Sequence, residues 1–149
     1  MKGDTMKKDY RNNQKANIFL IGFSYQGNIY RILLSIEVFM KLTKYDKTSK
    51  SHGKKPCLRF KPTANQKRAL INLGATCWSN EATFQEKILP NENKGQTFER
   101  IMKKEFNGMP CKNRCWWNGG DFEYYNKIYQ VKYENATVCT AEQCRRVRG

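Results

Sequence analysis

Asn118-Gly-Gly-Asp121-Phe-Glu123-Tyr-Tyr125-Asn-Lys127-Ile-Tyr-Gln130-Val-Lys132 is the stretch that decides the fold, because it forms a β-hairpin pattern with chemistry on one face. Phe122 to Tyr125 and Ile128 to Tyr133 are aromatic and β-branched runs of the kind that favours strands. The two residues between them, Asn126 and Lys127, fit a tight turn. With that turn, Tyr125 faces Ile128, Glu123 faces Gln130 and Asp121 faces Lys132. Strand side chains alternate, so Asp121, Glu123, Gln130 and Lys132 all project to one side. A carboxylate, an amide and an amine on a rigid support outline a metal-and-amine site. The plain alternative is a cross-strand ion pair between Asp121 and Lys132 on a solvated face, worth roughly 0.2–1 kcal/mol.

The residues upstream form an amphipathic pattern. Asn93 pairs with Gln96 as a helix cap, and Phe98, Ile101, Met102 and Phe106 recur at helical spacing. Asn107-Gly108 supplies the stop. Glu99 borders the apolar stripe, where its carboxylate reaches toward the sheet on which the helix packs. Its ordinary role is an i,i+4 pair with Lys103.

Together these residues resemble the catalytic core of the PD-(D/E)xK nuclease superfamily, the fold of many restriction enzymes and of archaeal Holliday-junction resolvases. That pattern is a helix opening on Gly…Glu-Arg, a strand, Gly-Asp, and a strand ending in Glu-x-Lys or Gln-x-Lys. Here it runs through Gly95, Phe98, Glu99 and Arg100, then Cys111 to Trp117, then Gly120-Asp121, then Gln130-Val131-Lys132. The resemblance covers about residues 93–149. It implies an α/β (α+β) fold with a central mixed sheet and flanking helices of restriction-endonuclease-like type. It also implies a Mg²⁺ site in which Mn²⁺ can substitute, held by Asp121, the Gln130 side-chain oxygen, the Val131 carbonyl and Glu99 through water. Lys132 then orients or deprotonates the attacking water and offsets charge in the transition state.

Two departures stand out. Gln130 replaces the commoner acidic residue, which removes one charge from the metal site. The family core also continues past its lysine into a helix and one more strand. Here Ala136 to Cys139 extends the strand and Thr140 to Val147 opens a helix, with Gly149 two residues later. The expectation is that the chain continues, or that the N-terminal region or a second subunit supplies the last strand.

The chain as a whole is strongly basic. Of 149 residues, 28 are Lys or Arg and 13 Asp or Glu, a formal net charge of +15. The excess is spread along the sequence, as suits a surface that tracks phosphates. Hydrophobic content of 39% supports a modest core and argues against global disorder. No apolar run of membrane-spanning length occurs and no secretory signal is recognisable, so the expected location is intracellular.

Residues 1–92 form a basic N-terminal region for DNA recognition and sheet completion, and 93–149 the nuclease-like core. The N-terminal region begins with a polar arm. A second hairpin follows, Ile18 to Ser24 and Tyr30 to Val38 around Tyr25-Gln-Gly-Asn28. Lys41 to Lys55 is expected to be a loop, Cys57 to Phe60 a short strand, and Thr63 to Leu73 a capped helix ending at Gly74. Phe84 to Leu89 is expected to be a short helix before Pro90.

Six cysteines allow several uses. Cys111, Cys115, Cys139 and Cys144 flank the hairpin, but their spacings are looser than the usual two-residue zinc knuckle, so structural Zn²⁺ is not favoured. Disulfides, together with the sequon at Asn135, need a secreted context that the sequence does not support. Free thiols, some buried, are the expectation. His52 lies in the Lys-rich stretch and is expected to be solvated rather than a ligand, and its being the one histidine excludes His-based HNH chemistry.

The leading functional expectation is a Mg²⁺-dependent endonuclease acting on double-stranded DNA, of the restriction or homing kind, working as a homodimer or higher homo-oligomer. A two-stranded ribbon fits the major groove, and Tyr25, Gln26, Asn28 and Arg31 lie on or near such a tip. Arg100, Lys103, Arg145 and Arg146 are further DNA-contact candidates. The alternatives are a non-catalytic basic nucleic-acid-binding protein and a secreted disulfide-stapled peptide.

Overall fold

A computed structural model describes residues 18–49, 55–106, 109–110, 122–125 and 127–140. In chain order its elements are β1 (Ile18–Tyr25), β2 (Asn28–Ser35), α1 (Ile36–Met40), β3 (Thr43–Ser49), β4 (Lys55–Phe60), α2 (Ala64–Leu73) and β5 (Thr76–Asn80). There follow α3 (Glu81–Glu86), α4 (Lys94–Phe106), β6 (Met109–Pro110), β7 (Phe122–Tyr124), β8 (Lys127–Tyr133) and β9 (Thr137–Thr140).

The strands form a six-stranded sheet in the order β5-β2-β1-β8-β7-β6 and a three-stranded sheet in the order β3-β4-β9. The larger sheet is mixed. β1 runs parallel to β8, and the other pairs are antiparallel. β1 is apolar almost throughout because it is central and covered on both faces. The N-terminal region and the C-terminal hairpin therefore share one sheet.

Alternation along the strands divides the core in two. Phe19, Ile21 and Phe23 of β1, Leu34 of β2 and Ile128 of β8 face the smaller sheet and its helices, meeting Phe39, Leu58, Phe60, Leu70 and Val138. Leu20, Ile29, Tyr129, Val131 and Tyr133 point the other way, against Phe84 of α3 and Phe98 and Met102 of α4. Trp78 closes this second layer edge-on to Phe84 and Phe98, with ring centroids 5.7 and 5.9 Å away.

Local signals explain much of this. Gln26 and Gly27 have φ of 49° and 82°, the pair of positive values that a two-residue hairpin turn matched to strand twist requires. Thr63 and Gln66 form a reciprocal capping box at the start of α2, and Gly74 ends it at φ 136°. Asn93 and Gln96 do the same for α4: each main-chain N–H donates to the other's side-chain oxygen, at 3.0 and 2.8 Å.

Several expectations are corrected. The C-terminal hairpin pairs Phe122 with Tyr129, Glu123 with Ile128 and Tyr124 with Lys127, two residues out of the expected register. The turn thus falls after Tyr124, with Tyr125 at φ 49°, and Glu123 faces Ile128 rather than Gln130. The aromatic pair explains the choice: the Phe122 and Tyr129 rings stack at 5.0 Å and 3°. A shift of two residues preserves the faces, so Gln130 and Lys132 still share a side.

The stretch expected as a loop from Lys41 contains β3, paired antiparallel with β4. β2 ends at Ser35, whose hydroxyl accepts from the Val38 N–H and starts α1, so Val38 is helical rather than extended. α3 begins earlier than expected because Asn80 caps it. Residues 137–140 do not prolong β8; after a turn at Glu134-Asn135, with Asn135 at φ 71°, they join β4 in the second sheet. The strand expected at Cys111 to Trp117 and the helix expected from Thr140 lie outside the described residues, apart from Thr140 itself in β9.

Candidate functional site

The C-terminal half of β8 borders a cleft of about 670 Å³ whose lining includes Ser24, Arg59, Glu99, Lys132 and Glu134, with Asn93 to Gln96 at the start of α4. β7 pairs only with residues 127–129, so among the described residues β8 is flanked beyond that point by β1 alone. The cleft follows this stretch.

One end of the cleft is built from a polar node. The Glu134 carboxylate accepts from the Ser24 N–H at 2.6 Å and from its hydroxyl at 2.7 Å. Lys67 of α2 donates to the same carboxylate at 2.8 Å and to the Ser24 carbonyl at 2.8 Å. Both side chains of the ion pair are 15% exposed, and the Glu134 N–H donates to the Gly22 carbonyl at 3.0 Å. The node clamps the end of β1, the β8 turn and α2 together. Arg59 extends it, donating to the Asn135 carbonyl at 2.6 Å and pairing with Asp46 at 3.0 Å. Burial pushes the neighbouring Tyr133 phenol well above its ordinary range; the Glu134 charge adds to this and a hydrogen bond with Ser24 opposes it.

Glu99 and Lys132 both line this cleft, but Lys132 lies beside Ile21 on the Gln130 face of β8, opposite the face on which α4 packs. Each has a local partner. Lys103 reaches Glu99 at 3.0 Å, the i,i+4 pair its spacing allows, and the Lys132 ammonium donates to the Thr137 carbonyl at 3.1 Å. Gln130 is placed differently. It lies beside Phe19 in the β1–β8 register, 8% exposed, on the face that meets the smaller sheet. α4 packs on the other face, so Gln130 and Glu99 are not brought onto one side of the sheet. Val131 faces α4 and is 3% exposed. Asp121 lies outside the described residues, and within them no three His, Cys, Asp or Glu gather where they could hold one metal ion.

The expected DNA contacts also divide. Tyr25, Gln26 and Asn28 do sit at the β1–β2 turn, with the Tyr25 hydroxyl accepting from Arg68 at 3.2 Å. Arg31 does not reach that tip. It faces α4, donating to the Met102 sulfur at 3.3 Å and pairing with Glu105 at 2.7 Å. Arg100 is bound at 2.7 and 2.9 Å to Glu92 and at 3.0 Å to the Lys87 carbonyl, and Lys103 is held by Glu99. Long cations beside carboxylates on the same helix, a neighbouring element or the preceding loop are drawn into such pairs before any external phosphate arrives. Arg145 and Arg146 lie outside the described residues.

Of the thiols, Cys57 is buried and free, and Cys77 is exposed and free. Cys139 falls on β9, while Cys111, Cys115 and Cys144, like His52, lie outside the described residues. Among the described residues no helix is long and apolar enough to cross a membrane.

Sequence reasoning missed Ser24, Lys67 and Glu134. Lys67 and Glu134 are 67 positions apart, and Ser24 and Glu134 are 110 apart. No local spacing rule links such residues; the only hint was a polar Glu-Asn pair directly after an aromatic strand. Comparison of the chain with protein-family models, with curated proteins and with solved structures finds no match.

Proposed function

We propose that this chain is a Mg²⁺-dependent DNA endonuclease built on a restriction-endonuclease-like core. The observation that carries the reading is that Glu99 of α4 and Lys132 of β8 line one cleft, from opposite faces of the stretch of β8 that β7 does not cover, with β1 parallel to β8 on its other side. Through β1 the N-terminal region supplies a parallel neighbour to β8. The helix α4 followed in the chain by the hairpin β7–β8 supports the reading.

In this reading Asp121, one residue before β7 in sequence, and Glu99 hold the metal. Gln130 shares a face with Lys132 and acts as a buried neutral support rather than a third carboxylate. A divalent cation held there would supply polarisation of the phosphoryl group and a lowered pKa for the water it binds. Lys132 orients that water and offsets negative charge as it develops on the phosphate. The Ser24–Glu134–Lys67 node fixes the turn after β8 and so the height of Lys132 in the cleft. Cutting both strands of a duplex requires two such sites, which a homodimer supplies.

The test is cleavage of plasmid DNA with Mg²⁺ and with chelator, for wild type, Asp121→Asn and Lys132→Ala. Lys132→Ala should keep its DNA affinity and lose at least about a hundredfold in cleavage; Asp121→Asn should abolish the metal-dependent reaction. Undiminished cutting by either variant sinks the assignment. A second reading, a nucleic-acid-binding protein without chemistry, is favoured by the pairing of Glu99 with Lys103 and of Lys132 with Thr137. It predicts binding with no metal-dependent cleavage in any form of the protein.

A further inference from the structure

The ion pairs of Arg31, Arg100 and Lys103 leave open which surface carries the basic excess toward a partner. Between positions 41 and 61 the sequence has eight Lys or Arg and a single acid, Asp46. β3 crosses this stretch as an outer strand of the smaller sheet, with β4 its neighbour among the described residues. Lys44, Tyr45 and Lys47 are exposed along it, Tyr45 to 54%. Asp46, the acid among them, is neutralised by Arg59 at 3.0 Å. At the end where β3 begins, the Lys61 N–H donates to the Leu42 carbonyl at 3.1 Å, which places the exposed Lys41 and Lys61 near each other.

We infer that the edge formed by Lys44, Tyr45 and Lys47 binds a single strand of nucleic acid, the lysines pairing with phosphates and Tyr45 stacking on an unpaired base. Lys44 and Tyr45 are adjacent on the regular part of β3 and project to opposite faces, so the bound strand follows the edge itself. The distance from Lys44 to Lys47, about 10 Å, matches about three nucleotides at about 3.4 Å each. Aromatic faces stack on any base, which makes such a platform tolerant of sequence. Lysines on an outer strand also deter edge-to-edge aggregation, but a large exposed aromatic between them works against that purpose. A duplex keeps its bases stacked internally and offers Tyr45 nothing comparable. This inference is independent of the chemistry in the cleft, and its test runs in chelator, where cleavage plays no part.

The full chain is titrated into a fluorescent oligothymidylate at several salt concentrations, with a duplex of equal length as competitor. The unpaired strand should bind more tightly than the duplex. Lys44→Glu with Lys47→Glu should reduce the magnitude of the log K against log salt slope by at least about 1.4, from two phosphate contacts at about 0.7 each. Tyr45→Ala should weaken single-strand binding by about fivefold or more with the slope unchanged. Lys104→Glu with Lys127→Glu alters net charge equally from exposed positions on α4 and β8; it should cost less affinity and slope than the β3 pair. All three positions on β3 are exposed, and unchanged thermal melting confirms that each variant folds. Equal effects of the two charge reversals, equal weakening of duplex and single strand by Tyr45→Ala, or tighter binding to phosphatidylserine vesicles than to the oligonucleotide would each overturn the inference.

Discussion

The ring of Phe98 lies directly over Gly22: a Cβ built on Gly22 would stand 2.5 Å from the Phe98 Cζ. Gly22 occupies the middle of β1, and Phe98, fully buried, is the first large apolar residue of α4. The contact lets the helix approach the sheet closely enough for Glu99, the next residue, to line the cleft beside β8.

Gly22→Ala should therefore destabilise the protein by about 1–3 kcal/mol through overpacking, read as a fall in melting temperature. The cause is steric, since Gly22 is absent from the positive-φ residues. Adding Phe98→Leu should recover part of the loss, because the smaller side chain vacates the space the methyl needs. Full additivity of the two changes would show that they do not share that space.

Removing the Glu134 carboxylate leaves the Lys67 ammonium, 15% exposed, beside the Ser24 carbonyl alone. Glu134→Ala should cost about 3 kcal/mol, in the range for breaking a mostly buried pair. Ser24→Ala removes only the hydroxyl donor and should cost about 1 kcal/mol. Chemical denaturation of the two variants measures both; similar losses would mean that the ion pair adds nothing beyond the hydrogen bond.

Glu92 gives the protein an acid-sensitive joint. Hydrogen bonds from the Arg100 guanidinium, against a cost of desolvation, hold its carboxyl down to about 2, with the Thr97 hydroxyl and the Leu89 N–H contributing. A carboxyl whose folded value lies below its unfolded one stabilises the fold fully above the unfolded value, about 4.3. That contribution is lost as pH falls through the folded value. Arg100→Gln should accordingly melt lower than wild type at pH 7, and the gap should close as pH drops from about 4 toward 2. A gap that stays constant across that range would detach Glu92 from the effect.

Gln130→Glu tests the metal reading against the fold. Gln130 is 8% exposed on the face that meets the smaller sheet, where an uncompensated carboxylate is costly. Without metal the variant should melt lower than wild type. If a divalent ion sits within reach, Mg²⁺ or Mn²⁺ should raise the variant's melting temperature more than the wild type's and shift the metal preference of cleavage. Identical metal responses from the two proteins count against an ion at this position.

Local chemistry made much of the fold legible. The Thr63–Gln66 and Asn93–Gln96 caps, Gly74 as a helix stop and the Gln26-Gly27 turn are all short-range hydrogen-bonding or backbone requirements, so residue type alone announces them. The face shared by Gln130 and Lys132 was legible too, because alternation survives a register error of two. The register itself was not, since it depends on the Phe122 ring finding Tyr129. β3 was hidden because lysine and threonine on an outer strand look like a polar loop until β4 is beside them.

The candidate site divides in the same way. Glu99 and Lys132 stood out by spacing, but which face each occupies, and which cations remain available to a partner, was decided by packing. Arg31 points at Glu105 because its side of β2 faces α4, and Gln130 is turned from Glu99 because β1 and the smaller sheet bury its side of β8. By itself the sequence determined the caps, the turns and the alternation of faces, which are properties of neighbouring residues. The parallel pairing of β1 with β8 and the joining of Ser24, Lys67 and Glu134 at one node belong to the tertiary structure alone, because both bring together groups that lie far apart along the chain.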